Sequence, residues 1–341
     1  MIKNIKNNIL NDNSSVADAI KILQESRYKT VIIVSKDLKV LGTITDGDIR
    51  RGLLIGMSLS EKCHKVMNKK PKIALEKDNL RINEILKTQT IVPIVNEKSE
   101  IIGMINSKVS SAKKTMTNTV VIMAGGEGKR LMPLTTLTPK PMLPIKKKPL
   151  IHKIIEGLSD AGFREIFISI HYKGDQLINY FKDGKKFGVN IDYIREDKPL
   201  GTAGCLSLIN VNNLKDPIIV LNGDVLTNID YRRLINFHQK SKKSFTICAA
   251  AYDISIPYGT IELKKDSIIN IEEKPIKKYL INAGIYVLEP TVINEMQINK
   301  KIDMTTLVKK YIKRKQVTVF PLHEFWIDIG NHEDYEKVQD L

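Results

Sequence analysis

The sequence predicts an α/β protein in which a domain built on a mainly parallel sheet follows a smaller α+β module. Three observations predict it. Residues 1 to about 110 contain an internal repeat, apolar strand runs alternate with helical patterns from Val120 onward, and 341 residues exceed what one small core organises. The boundaries read as 1–112 for the module, 113–119 for a linker and 120–341 for the larger domain.

The repeat is defined by two stretches, TVIIVSKDLKVLGTIT (Thr30 to Thr45) and TIVPIVNEKSEIIGMIN (Thr90 to Asn106). Each is an apolar strand, a polar turn and a second apolar strand. One offset of 61 residues carries Val34 onto Val95, Leu41 onto Ile102, Gly42 onto Gly103 and Ile44 onto Ile105, and similarity at a fixed period signals a repeated structural unit. A helical stripe precedes each copy, with Val16, Ala19, Ile20 and Leu23 in the first and Ile82, Ile85 and Leu86 in the second. The region resembles a tandem pair of CBS motifs (a Bateman module), whose copies pack together and often bind adenine nucleotides. In LGTITDGDIRRGL the resemblance implies that Thr45 and Asp48 hold a ribose. Val109 stands where the second Asp would fall, which counts against a second nucleotide site. A pair that only brings copies of the chain together is the alternative reading.

Asn106 to Thr119 is polar and without apolar periodicity, as a linker is. Beyond it VVIM (Val120 to Met123), EIFISI (Glu165 to Ile170), VNIDYI (Val189 to Ile194) and PIIVL (Pro217 to Leu221) read as buried strands. Helical stretches separate several of them: PLIHKIIEGLSDAG ends on Gly162 as a C-terminal cap would, and DQLINYFKDG closes on Gly184. This alternation implies right-handed crossovers and a parallel sheet covered on both faces. After Ala249 the strands crowd together, and GTIEL, SIINIEE and YLINAGIYVL predict an antiparallel addition over the sheet's edge.

Composition narrows the partners. The formal charge is +16, but lysine, asparagine and isoleucine are abundant all along the chain, so most of the excess reads as solvated surface. No zinc finger or aromatic-interleaved basic stripe is present, and nucleic acid is not an expected partner. No apolar run approaches the roughly 18 residues of a membrane span, and MIKNIKNNIL lacks the features of a signal peptide. Cys63, Cys205 and Cys248 have neither disulfide nor zinc spacing, which fits a reducing cytoplasm.

The chemistry is concentrated in MAGGEGKRLMPLTTLTPKPMLPI (Met123 to Ile145). A loop after the first strand of a parallel sheet lies where such sheets bind ligands. A Walker A loop fails, because Arg130 follows Gly128 and Lys129 and Met123 occupies the upstream glycine position; a dinucleotide fingerprint fails at Leu131. What remains still suits phosphate. Gly125, Gly126 and Gly128 can present bare backbone N–H groups, Arg130 offers a planar fork, and Pro133, Pro139, Pro141 and Pro144 restrict the chain that carries Lys140.

This segment resembles the signature of the sugar-1-phosphate nucleotidyltransferases, whose sheet is Rossmann-like, and the match runs through residues 119–341. EDKPLGTAG (Glu196 to Gly204) matches the loop that contacts the nucleoside, and LNGDVL (Leu221 to Leu226) the strand end that presents a metal-binding aspartate. YGTIEL, EEKP and NAGIYVL match the sugar-phosphate pocket, and FWIDIGNHEDY (Phe325 to Tyr335) the closing motif. The glycine loop and closing motif look most like the mannose-1-phosphate guanylyltransferase branch. The CBS fusion resembles bacterial glucosamine-1-phosphate guanylyltransferases of nonulosonic (legionaminic) acid pathways. Lys129 departs from the small hydroxyl residue usual at its place.

The resemblance implies transfer of a nucleotidyl group, with GTP favoured, to a hexose or hexosamine 1-phosphate. Arg130, Lys140, Asp224 and Asp328 would be catalytic, and the two aspartates would hold Mg²⁺. Ala124, Gly125, Gly126, Gly128, Gly201, Thr202 and Asn222 would bind the nucleotide; Gly259, Glu273, Lys274, Asn282 and Gly284 would bind the sugar phosphate. His152 and His171 read as surface or packing residues and Trp326 as a core or pocket wall. A homo-oligomer is expected, with no membrane partner. The rival reading is a non-catalytic NDP-sugar-binding subunit that reports nucleotide levels through the CBS pair.

Overall fold

A computed structural model describes residues 2, 5–26, 28–89, 91–106 and 115–340. The chain divides into two compact units, Met1–Ala112 and Lys113–Leu341. Val109 and the first part of the predicted linker lie outside the described residues.

The first unit repeats one design twice. Strand β1 (Ile9–Asn11) runs parallel to β2 (Thr30–Val34), which pairs antiparallel with β3 (Val40–Thr45). Helix α1 (Val16–Glu25) links the first two strands, and α2 (Asp46–Leu54) follows the third. In the second copy β4 (Ala74–Leu75) runs parallel to β5 (Ile91–Val95), which pairs antiparallel with β6 (Ile101–Asn106), and α3 (Asn79–Leu86) lies between the first two. The 61-residue offset survives in the pairing: Ile33 faces Gly42 as Ile94 faces Gly103, and the register slips at Val34 and again at Val95. Apolar side chains of both copies share one cluster, where Ile32 and Val34 meet Ile91, Val95 and Met104. Neither three-stranded sheet could bury its apolar face alone.

In the second unit the first strand is β7 (Val120–Met123), which lies inside the main sheet. A small pair, β8 (Pro144–Ile145) and β9 (Lys148–Pro149), leads into α4 (Leu150–Ala161), which Gly162 ends in the left-handed conformation at φ +94°. Then come β10 (Glu165–Ile170), α5 (Gly174–Phe181), β11 (Asn190–Arg195) and the one-turn α6 (Gly201–Gly204). Gly184, predicted to close α5, instead shapes the turn beyond it at φ +80°. Next are β12 (Ile218–Asn222), β13 (Val225–Thr227), α7 (Tyr231–Ser241), β14 (Phe245–Ser255), β15 (Thr260–Lys264), β16 (Ser267–Glu272) and β17 (Ile276–Leu288). The chain continues through α8 (Pro290–Asn294), α9 (Met304–Lys313), β18 (Val317–Leu322), β19 (Trp326–Asp328) and α10 (His332–Gln339).

Seven strands form the main sheet in the order β11-β10-β7-β12-β17-β14-β18. All pairings are parallel except the two made by β17. Two apolar layers sandwich the sheet, one including Ile122, Ile155 and Leu221, the other Val121, Val220 and Leu307. The late strands depart from the expected edge addition. β17 inserts inside the sheet between β12 and β14, and β15 with β16 forms a separate two-stranded sheet. The reason lies in β17 itself: Ala283 to Leu288 are all buried and suit an interior strand, whereas Ile276 to Leu280 are exposed.

Candidate active site

From β7 the chain steps to β10 on one side, while β12 flanks β7 on the other. A parallel sheet leaves its ligand crevice at such a reversal, beyond the carboxyl ends of the strands. A cavity of about 420 Å³ lies there, bordered by the loop after β7, the loop after β12, and α6. Its lining brings together Ala124, Gly125, Gly126, Gly128, Arg130, Lys140, Gly201, Thr202, Asn222 and Asp224.

The glycines differ in what they do. Only Gly128 of the three is left-handed, at φ +67°, and a side chain there would also strike Thr135 and Lys140. Gly126 faces open space, where a Cβ meets nothing within 4 Å, so its backbone stands bare toward the cavity. Thr135 Oγ1 donates to the Gly128 carbonyl at 2.9 Å and fixes the loop. Beyond it, Lys140 follows Pro139 into a single 3-10 turn and is buried.

Two distant aspartates are joined by a strand pair. β13 and β19 run antiparallel with Val225 opposite Asp328, and the Ile329 N–H donates to the Asp224 carbonyl at 3.1 Å. The Lys140 ammonium pairs with Asp224 and lies 3.9 Å from Asp328 Oδ1. Arg130 Nη1 sits beside Gly330, 3.5 Å from where a Cβ there would stand. Burial pushes the Asp328 carboxyl above its ordinary range, the Asp224 charge adds to the shift, and Lys140 and Arg130 oppose it.

Asp224 Oδ1 and Asp328 Oδ1 are buried without a hydrogen-bond partner. Buried carboxylate oxygens without hydrogen-bond partners are suited to a hard divalent cation, so the two residues fit a divalent-metal site.

Other predicted residues fall elsewhere. Gly284, left-handed at φ +69°, lets β17 pass against the Asn222 amide, where a Cβ would come within 2.7 Å of Nδ2. The Gly284 N–H donates to Asn282 Oδ1 at 3.1 Å, and Asn282 Nδ2 donates to the Tyr286 hydroxyl at 2.7 Å. Gly284 therefore adjoins Asn222 in the cavity wall, and Asn282 is bonded to Gly284. Gly259, Glu273 and Lys274 are exposed, border the β15–β16 hairpin and do not line the cavity. Trp326 Nε1 donates to the Ala283 carbonyl at 2.8 Å and packs against the core. His152 stacks edge-on to Phe187.

His171, read from sequence as surface or packing, lines the cavity, with Nδ1 2.9 Å from the Glu196 carbonyl oxygen. Ser169, Glu196 and Cys205 line it too. Ser169 Oγ donates to Glu196 Oε1, and the Leu200 N–H donates to Oε2 at 2.8 Å, which orients this carboxylate in the cavity wall. Glu196 opens the EDKPLGTAG motif, a signal that could have drawn attention to it.

In the first unit, Thr45 and Asp48 line a cavity of about 410 Å³ with Thr30, Thr43, Arg51 and Asn68 among its walls. Asp48 Oδ2 accepts from the Thr45 N–H at 2.8 Å and from its hydroxyl at 2.6 Å, and Arg51 pairs with Oδ1. The predicted ribose-holding pair is thus also the capping box of α2.

A switch-point cavity lined by bare glycine backbone, Arg130, Lys140 and Asp224, with Asp328 beside Lys140, marks an α/β protein with a site suited to anionic ligands. Comparison with known proteins gives the class a family. A Nucleotidyl transferase family model matches residues 119–341, and a CBS domain model matches residues 1–55. The chain belongs to the nucleotidyl transferase family and carries an N-terminal CBS domain. It is 35% identical to mannose-1-phosphate guanyltransferase 2 of Candida glabrata over 63% of this chain and 62% of that protein. It is 32% identical to the Drosophila melanogaster mannose-1-phosphate guanylyltransferase catalytic subunit beta, over 63% of this chain and 60% of that one. The chain thus spans about three-fifths of the length of the curated relatives it matches. Among solved structures, HddC from Yersinia pseudotuberculosis complexed with GMP-PN aligns at TM-score 0.52 and 29% identity, over 65% of this chain and 98% of that one. A putative glucose-1-phosphate thymidylyltransferase from Bacillus anthracis aligns at TM-score 0.52 and 26% identity, over 65% and 94%.

Proposed function

We propose that this protein is an enzyme that transfers a nucleoside monophosphate from a nucleoside triphosphate, GTP in our reading, to a hexose or hexosamine 1-phosphate. A phosphate oxygen of the sugar attacks the α-phosphorus, the α–β anhydride bond breaks, and pyrophosphate leaves. The nucleophile is already an anion, so the obstacle is repulsion between phosphates and the remedy is placed positive charge. The observation that carries the reading is the meeting of Arg130, Lys140 and Asp224 at one cavity with Asp328 beside them.

Each residue has a task. The bare backbone at Gly126 and Gly128 receives the triphosphate, Arg130 neutralises the departing pyrophosphate, and Lys140 stabilises charge on the α-phosphate. Asp224 and Asp328 would hold Mg²⁺, which supplies Lewis-acid polarisation of the α-phosphate and alignment of the attack. Asn222 joins the nucleotide side to Asn282 and Gly284, which shape the sugar side. Gly259, Glu273 and Lys274, which border the β15–β16 hairpin outside the cavity lining, belong to the same sugar-phosphate reading. Thr45 and Asp48 would hold an adenine nucleotide that tunes the rate.

The names of the relatives support guanine and mannose; glucosamine is the other sugar the CBS fusion brings forward. No helix among the described residues is long and apolar enough to cross a membrane. The test is pyrophosphate release from the four nucleoside triphosphates against mannose, glucose and glucosamine 1-phosphates, with Mg²⁺ or EDTA and with or without AMP, ADP and ATP. Release with GTP and one of these sugars, abolished by EDTA, is expected. No release with any pair overturns the reading in favour of a binding subunit.

A further inference from the structure

Between Arg130 and α4 the chain forms little regular structure, because Pro133, Pro139, Pro141 and Pro144 lack the N–H groups that a ladder needs. Its carbonyls then need partners from elsewhere, and side chains supply several of them. Near the start of α5, Tyr172 Oη donates to the Thr135 carbonyl at 3.3 Å and Gln176 Nε2 to that of Leu137 at 2.8 Å. The two ends of the segment are held by α10. His332 Nε2 donates to the Met132 carbonyl at 2.9 Å. The Tyr335 hydroxyl and Gln339 Nε2 both donate to the Pro144 carbonyl, at 2.6 and 2.8 Å, and the Lys146 N–H donates to Gln339 Oε1 at 2.9 Å. His332, Tyr335 and Gln339 stand three and four residues apart, so a single helix face makes all of these bonds.

Lys140 lies between those two ends, and Asp328 lies just before the helix. Only Ile329, Gly330 and Asn331 separate Asp328 from α10. The Gly330 N–H reaches back to the Asp328 carbonyl at 2.8 Å and forward to Asp334 Oδ2 at 3.2 Å. Val338, fully buried, seats the helix on the core. The helix is thus a strut between the segment bearing Lys140 and the strand bearing Asp328, whose charged groups lie 3.9 Å apart. We infer that α10 sets this separation and that Tyr335 and Gln339 are positioning residues for the transfer. The inference rests on the reaction proposed above and adds the device that keeps its charges in place. The bonds to Pro144 and Lys146 are exposed, and such bonds contribute little to stability, so they can be removed without unfolding the protein. A displacement of about 1 Å at a reacting centre, by contrast, can lower a rate about a hundredfold.

Tyr335→Phe deletes one hydroxyl and keeps the ring, and Gln339→Leu deletes the other two bonds. The double variant should melt within about 5 °C of wild type. Its kcat for pyrophosphate formation should fall at least about tenfold while the KM of each substrate stays within about twofold, because the groups that bind substrate are untouched. The N–H groups of Met142 and Leu143, bonded to the Pro139 and Lys140 carbonyls, should exchange with deuterium at least about tenfold faster. Lys337→Ala, on the opposite face of α10 and paired with Glu333, should match wild type. Should the double variant fail to fold, Tyr335→Phe alone decides, with a kcat loss of at least about threefold expected. A folded variant with wild-type kcat, a loss that lies wholly in KM, or unchanged exchange at Met142 and Leu143 overturns the inference. A wild type inactive with every substrate pair fails the reaction itself, whereas an active wild type with unaffected variants fails this inference alone.

Discussion

At the scale of single residues, Lys140 is the most consequential. Its ammonium pairs with Asp224 Oδ2 and lies 3.9 Å from Asp328 Oδ1, while Asp224 Oδ1 stays without a hydrogen-bond partner. On the proposed reading, a divalent ion held by these aspartates and the Lys140 ammonium would draw on the same negative charge. Lys140→Met should raise the affinity of the free protein for Mn²⁺, read by electron paramagnetic resonance, by at least about tenfold. It should also lower turnover about a hundredfold. Unchanged Mn²⁺ affinity in the folded variant would show that the lysine and the metal do not compete. The residues with strong local context were legible in the sequence: Lys140 stands between prolines, Arg130 follows the glycines, and Asp224 follows an apolar strand. Ser169 and His171 were not, because an ordinary strand end reveals nothing until β10 is laid beside β7. The glycine loop was read as three flexible positions, and only Gly128 uses that freedom; Gly126 is needed for what it lacks.

At the scale of elements, α7 shows how a helix is tied to the sheet by one side chain. His238 is fully buried, with Nδ1 2.7 Å from the Thr246 hydroxyl on β14 and Nε2 3.1 Å from Glu289 just after β17. Burial holds its pKa below the ordinary 6.5, with the Glu289 charge opposing. The unfolded chain thus binds more protons than the folded one once pH drops below about 6.5, and stability is lost in that direction. His238→Gln should flatten the fall in melting temperature between pH 7.5 and 5.5 relative to wild type; an identical slope would mean that His238 does not titrate on unfolding. The repeat was legible at this scale to the residue, since one offset predicts which positions pair in both copies. The place of β17 was not. Periodicity states that a segment is a strand and how buried it is, but strand order depends on which neighbours compete for its edges, and that competition is settled by tertiary packing.

At the scale of the whole molecule, two compact units share one chain: a twofold-repeated α+β module and a transferase-family sheet with its cavity at the topological reversal. The sheet brings residues 130, 140, 224 and 328 together although nearly 200 positions separate the first from the last. β13 and β19 make that possible by joining the loop after β12 to the segment before α10. If this rim is where two phosphates are made to react, each carboxylate is indispensable, and the direct measurement is the pyrophosphate-forming kcat of Asp224→Asn and Asp328→Asn, with folding checked by melting temperature. The account predicts a loss of at least about a hundredfold in each. Folded variants that both retain wild-type kcat would contradict it.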